Sequence, residues 1–200
     1  IVDELTPVEL DELLPIVKSD LTELLRARNA ELRIESGLPT VWGDWNRLSQ
    51  LFANLITNGL KFNRNEIPRV EVGVIDNGAD AEQDGHPGPV ARRHERLLTI
   101  YVRDNGIGID PEFHETIFQL FRRLHTQEEY EGTGAGLAIC SKIVRALGGR
   151  IRLESRRGAG STFFIQLRRC DSEGSSFDQV MASEFLTAAA RDEANDSRAV

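Results

Sequence analysis

Apolar residues first recur at helical spacing at Leu13, Leu14, Val17, Leu21, Leu24 and Leu25, which predicts an amphipathic helix. Its start has two readings. Asp11 can act as N-cap, with Pro15 in or near the first turn, or Thr6-Pro7-Val8-Glu9 can form a capping box with proline at the first position. A strand follows near residues 31–35, then a turn at Gly37-Leu38-Pro39. Asp44 caps a second helix reaching about Phe62. Residues 69–75 and 97–103 alternate as strands, with a long polar connection over 76–96. A short helix is predicted over residues 111–123. Another spans residues 134–147 and stops at Gly148-Gly149. Two strands, near residues 150–155 and 161–168, flank the turn at 157–160. This order predicts an α+β fold with helices on one face of a mixed sheet.

The domain is expected to occupy residues 1–169. The tail, 170–200, carries a separate pattern: Ser176-Phe177-Asp178-Gln179 resembles a capping box, and Phe177, Val180, Met181, Phe185 and Ala188 share one helical face. A short amphipathic helix is expected there, docking on its own domain or on a neighbour in the parent protein.

Composition narrows the partners. Two hundred residues, 40% of them hydrophobic, suit one domain with an appendage. A net charge of -8 gains nothing from counterion release, so a nucleic-acid partner is not expected. The apolar runs are far short of a bilayer span, and Ile1-Val2-Asp3-Glu4 does not open a signal peptide. The missing initiator Met suits an excised fragment. Cys140 and Cys170 form no disulfide framework and no metal-ligand spacing, and Cys140 is expected as a buried free thiol. These features fit the cytoplasm.

Four patches carry candidate chemistry. In the second helix, at about 100° per residue, Asn54, Asn58 and Lys61 share one strip beside the core positions Leu48, Leu51, Phe52, Leu55 and Ile56. An amide oxygen can ligate Mg²⁺ and an ammonium can meet phosphate, although a solvated polar edge would look the same. The second patch, Asp104-Asn105-Gly106-Ile107-Gly108, follows a strand directly. A carboxylate there accepts hydrogen bonds only, which suits the amino group of adenine and rejects the carbonyl of guanine. The bland alternative is a turn with a capping aspartate. The third, Gly132-Thr133-Gly134-Ala135-Gly136-Leu137, opens a helix and offers backbone amides to a phosphate. It is neither a P-loop nor a dinucleotide fingerprint. Between these lie Phe118 and Phe121, then Arg122 and Arg123, either of which can reach phosphate, and a polar stretch shaped like a lid. His125, alone in that stretch, is read as exposed and not as a base.

In this order the patches resemble the GHKL superfamily of ATPases and kinases, and within it the catalytic domain of sensor histidine kinases. Phe121-Arg122-Arg123-Leu124-His125 and Glu129-Tyr130-Glu131-Gly132-Thr133-Gly134 are most similar to the branch that includes phytochrome-type kinases. The likeness runs from about Val8 to Arg168. It implies a Bergerat-type α/β sandwich, with Asp104 reading adenine beside Gly106 and Gly108. It further implies Asn58 on Mg²⁺ with Asn54 nearby, Lys61 on phosphate and Phe62 near the base. Gly132, Gly134, Gly136 and Leu137 would form the lid hinge and phosphate contact, and Thr162 would support the adenine pocket through water. Ala135 is smaller than the residue common in the third patch, which implies a looser hinge contact.

In the hydrolases of that superfamily a glutamate one turn before the Mg²⁺ asparagine activates water. Here the position is Asn54, which cannot act as a general base. None of the four histidines, His86, His94, His114 and His125, sits in a phospho-acceptor context. The resemblance therefore implies transfer of the γ-phosphoryl group of Mg²⁺-ATP to a histidine on a separate dimerisation helix, with a response regulator downstream and a monomeric isolated domain. The alternatives are a protein serine kinase of the same superfamily and a nucleotide-responsive pseudokinase used as a binding module.

Overall fold

The computed structural model describes residues 5–75, 97–114, 116–118 and 135–170. The strands are β1 (Thr6–Glu9), β2 (Glu31–Ile34), β3 (Thr40–Gly43), β4 (Arg69–Ile75), β5 (Leu97–Asp104), β6 (Arg150–Ser155) and β7 (Ser161–Arg168). The helices are α1 (Leu10–Asp20), α2 (Thr22–Ala27), α3 (Trp45–Lys61) and α4 (Gly136–Ala146). Five strands form one sheet in the order β2-β4-β5-β7-β6, parallel only between β2 and β4. It is the expected mixed sheet, and β5 lies at its centre.

Strand alternation sorts the sheet into two faces. Val70, Val72, Ile100, Val102, Phe163, Ile165 and Leu167 are buried in one core with the apolar stripes of the helices. Those stripes are Leu10, Leu13, Leu14 and Val17 of α1, Leu48, Leu51, Phe52, Leu55, Ile56 and Leu60 of α3, and Cys140, Ile143 and Val144 of α4. Asp104 is the last residue of β5 and pairs with Val70 on one side and Ser161 on the other. The sheet therefore holds this carboxylate on the helix-covered face, at the end of the central strand.

The chain departs from the sequence expectations at its start. Thr6–Glu9 is a strand, antiparallel to β3, and not a capping box. Val8 is buried while Pro7 is exposed, as an edge strand tolerates. Asp11 does not cap α1. Its carboxylate accepts from the backbone N–H of Leu38 at 3.0 Å and so fixes the turn before β3. Pro15 lies inside α1 on the exposed side, and the periodic run breaks at Leu21 into α1 and α2. β3 also receives the chain's return: Val41 bridges Arg169, and the Cys170 N–H donates to the Thr40 carbonyl at 2.8 Å.

The other elements follow their signals. The Asp44 carboxylate accepts from the Arg47 N–H at 2.7 Å and starts α3. α4 ends in a Schellman turn, with Gly149 N–H donating to Val144 O and Gly148 N–H to Arg145 O. Within residues 111–123, Pro111–Phe113 and Thr116–Phe118 are single 3₁₀ turns. The expected tail helix and the connection 76–96 lie outside the described residues. No described helix is long and apolar enough to cross a membrane.

Candidate functional site

The site is assembled from the C-terminal half of α3, the turn after β5 and the start of α4. α3 crosses the sheet at Gly59, where a Cβ would stand 2.9 Å from both the Cβ of Asp104 and Cγ2 of Val70. Only a glycine lets the helix come this close. Three residues on, the Phe62 carbonyl accepts from the Ile107 N–H at 3.0 Å and lies where a Cβ on Gly106 would have to be. On its other side, α3 brings Asn58 to α4: the Asn58 amide nitrogen is 3.8 Å from the position of a Cβ on Gly136. α3, which carries the first patch, thus touches both the second at Asp104 and the third at Gly136.

Asp104 is the electrostatic centre. Its Oδ1 accepts from the N–H groups of Gly106 at 2.8 Å and Ser161 at 3.2 Å. Burial pushes its pKa up from 3.8 to about 6, against the lowering by those two N–H donors. The carboxylate is therefore ionised at neutral pH yet poorly hydrated, so a donor brought to it meets a strong acceptor. The turn is held from below. Gly108 has φ +69°, packed on the Arg156 carbonyl, and Gly160 has φ +81°, packed on the carbonyl of Asp104.

A hydroxyl pair lies beside this carboxylate. Ser155 Oγ donates to Gly160 O at 2.8 Å, accepts from the Ile109 N–H at 2.8 Å and lies 3.0 Å from Ser161 Oγ. Ser161 is the cross-strand partner of Asp104 and shares its face. Thr162, the residue expected to support the pocket, pairs instead with Arg103 on the opposite face, where its hydroxyl accepts from Arg103 Nε at 3.4 Å. The alternation of β7 turns it away from Asp104, and Ser161 is the β7 residue that shares that face.

On α3, Asn54, Asn58 and Lys61 keep the half-exposed strip beside the buried stripe. Lys61 Nζ sits 4.8 Å from the centroid of the Phe62 ring. Asn54 points toward α4 and Cys140. Its Nδ2 is buried without a hydrogen-bond partner among the described residues. Burial raises the Cys140 thiol to about 12, against a lowering by Asn54, so this thiol stays protonated, as expected for a core cysteine. Gly136 is the first residue of α4, no side chain among the described residues caps that end, and Leu137 packs against the core. Phe118 meets Phe163 edge-on, with centroids 6.4 Å apart. Arg123, Gly132 and Gly134, with Phe121, Arg122 and His125, lie outside the described residues.

Sequence reasoning missed the residues that finish α3. The last four carbonyls of a helix lack intrahelical partners. Here Phe62 N–H donates to Asn58 O, Asn63 Nδ2 to Gly59 O at 3.3 Å, and Arg28 Nη1 to Leu60 O at 3.1 Å and Lys61 O at 3.5 Å. The terminator signal after Phe62 was absent because the cap comes from side chains, one of them distant in sequence.

A buried carboxylate at the end of the central strand, packed against Gly59 of α3, marks the candidate site, and the comparisons give the family. Residues 43–170 match the family model described as histidine kinase-, DNA gyrase B-, and HSP90-like ATPase, and the chain belongs to this family. It is 38% identical over 164 residues to the phytochrome-like protein Cph1 of Synechocystis sp., covering 82% of this chain and 20% of that protein. It is 45% identical over 130 residues to cyanobacterial phytochrome A of Nostoc sp., covering 65% of this chain and 15% of the relative. The chain thus spans about a fifth or less of the curated phytochromes it matches. Among solved structures, the catalytic domain of histidine kinase ThkA superposes with TM-score 0.63 at 26% identity, covering 83% of this chain and 96% of that one. Full-length ShkA in complex with AMPPNP also gives 0.63 at 26% identity, covering 84% and 32%. The fold is that of histidine kinase catalytic domains.

Proposed function

We propose that this domain binds Mg²⁺-ATP and presents its γ-phosphoryl group to a histidine on a separate dimerisation helix, in a two-component relay that continues to a response regulator. The observation that carries the reading is Asp104: a buried, ionised carboxylate with one oxygen held by two backbone N–H groups. Such a group accepts from the exocyclic amino group of adenine and repels the carbonyl that guanine offers at that edge. Gly106 and Gly108 let the base approach the backbone, and Ser161, rather than Thr162, is the hydroxyl available beside it. Phe62 offers its ring beside the base.

Along α3, Lys61 suits phosphate and the Asn58 amide oxygen suits Mg²⁺. No group of three or more acidic, histidine or cysteine side chains is present among the described residues. A single amide fits this cation, which keeps several waters and takes substrate phosphates as ligands. Bound there, Mg²⁺ would neutralise charge on the phosphates during transfer. The start of α4 at Gly136, which no side chain caps among the described residues, suits phosphate oxygens. Gly132, Gly134 and Leu137 by family resemblance, and Arg123 by its place in the lid-like stretch, complete the phosphate side.

Asn54 has no proton-accepting capacity that could activate water, so ATP is kept for another nucleophile. The bond formed is between the γ-phosphorus and an imidazole nitrogen of the acceptor, and the bond broken is that to the β-phosphate bridging oxygen, with ADP leaving. The test is titration of ATP, with and without Mg²⁺, into this chain and Asp104→Asn, followed by incubation of each with a histidine-bearing dimerisation helix. Binding lost in the variant, slow hydrolysis alone and phosphate on the supplied histidine are expected. Rapid hydrolysis by the chain alone would overturn the kinase reading. Binding without transfer to any histidine would favour a nucleotide-responsive module.

A further inference from the structure

Between the end of α3 and the turn after β5 lies a cluster of three asparagines, Asn63, Asn65 and Asn105. Asn63 is almost fully buried, at 9% exposure. Its Nδ2 donates to Gly59 O at 3.3 Å and to Asn105 Oδ1 at 2.7 Å. Its Oδ1 accepts from the N–H of Asn65 at 3.1 Å and from the Asn65 amide at 3.0 Å. Asn105 Oδ1 also accepts from the Arg69 N–H at 2.7 Å, and its Nδ2 donates to Ile67 O at 3.2 Å. The Asn65 amide further donates to the Asn105 carbonyl.

Backbone partners fix both amide orientations. A carbonyl such as Gly59 O or Ile67 O can only accept, and an N–H such as that of Asn65 or Arg69 can only donate. Neither Asn63 nor Asn105 can flip without leaving a polar group unpaired, at a cost of about 1–3 kcal/mol when buried. The Asn63–Asn105 bond is therefore a one-way connection. It runs from the last turn of α3, which bears Asn58 and Lys61, to the residue next to Asp104.

We infer that Asn63, through Asn105, is a positioning residue that holds the phosphate side of the nucleotide site in register with the base side. The inference rests on the reading of Asp104 as the adenine contact and of Asn58 and Lys61 as the phosphate side. Asn105 stays tied to Arg69 of β4 and to Ile67 just before it when Asn63 is removed, so the base-reading turn keeps its place. What is loosened is the last turn of α3, which keeps its ties at Phe62 and Arg28 but loses the partner of the Gly59 carbonyl. The phosphates should then lose affinity while the nucleoside does not.

The experiment compares ATP and adenosine binding to the full chain, Asn63→Ala and Asn63→Asp, with melting temperatures measured alongside. The aspartate variant keeps shape and acceptor oxygens but loses both donations. In both variants ATP should weaken about tenfold, the worth of one such bond, while adenosine stays within about twofold. Equal weakening of ATP and adenosine, or no weakening of either, would overturn the inference. So would loss of the fold in both variants, which would make the amide pair a stability element. Failure of the unaltered chain to bind adenosine would instead count against the adenine reading of Asp104, and is distinct from all of these.

Discussion

Gly59 on α3 and Asp104 on β5 are in contact so close that a methyl group on the first would stand 2.9 Å from the Cβ of the second. Gly59→Ala sets two effects against each other. Alanine favours the helix by about 1 kcal/mol, while overpacking costs about 1–3 kcal/mol. The clash is with Cβ of Asp104 and Cγ2 of Val70, both held on paired strands, so neither can swing away and the clash wins. A net loss of about 1 kcal/mol in denaturant unfolding is expected. Calorimetry should show weaker ATP binding, because the helix edge is pushed from the carboxylate.

Asp104 links affinity to pH. Its pKa rises from 3.8 to about 6 on folding, so between these values the folded state binds more protons than the unfolded chain. The sign follows: stability falls as pH rises through that window and levels off above about pH 6. Asp104→Asn removes the buried charge and keeps an oxygen for the Gly106 and Ser161 N–H groups. It should gain stability at pH 7, by at most about 3 kcal/mol at 1.36 kcal/mol per unit. ATP affinity should move the other way, falling as pH drops through about 6 and lost in the variant. Unfolding and titration series at pH 5 and 8 check both signs.

Ser161 and Thr162 are adjacent in sequence and opposite in space. Ser161→Ala should weaken ATP binding about tenfold by removing a hydroxyl beside Asp104. Thr162→Ala, which loses only the contact with Arg103, should leave Kd within about twofold. The reverse ranking would return the supporting role to Thr162.

Asn58 is the one described residue on which we place a Mg²⁺ contact. Asn58→Ala should therefore bind ATP equally with Mg²⁺ and with EDTA, whereas the unaltered chain should bind better with the metal. An undiminished Mg²⁺ dependence in the variant would move the metal contact elsewhere.

Much of this was legible in the sequence because it is periodic or punctuated. The strip and the buried stripe of α3, its Asp44 cap and the Gly148-Gly149 stop of α4 are local signals, and the structure repeats them. The β1–β3 ribbon was not legible. Thr6-Pro7-Val8-Glu9 has the letters of a helix start, and only the pairing with Trp42 and Val41 makes it extended. Thr162 could not be separated from Ser161 without knowing which face of β7 meets the helices. Asn63 and Arg28 carried no signal, since a single amide or guanidinium in a loop has no period, and their partners lie on other elements.

β5 is hydrogen-bonded on both edges, and Asp104 is part of both ladders. The candidate base contact is therefore not part of a free loop: its backbone belongs to both ladders of the central strand. Free energy gained from a ligand at this carboxylate is then passed to the whole cooperative unit. A ligand at a hundred times its Kd would raise global stability by about 2.7 kcal/mol, and amides throughout β4, β5 and β7 would share the slowing of exchange.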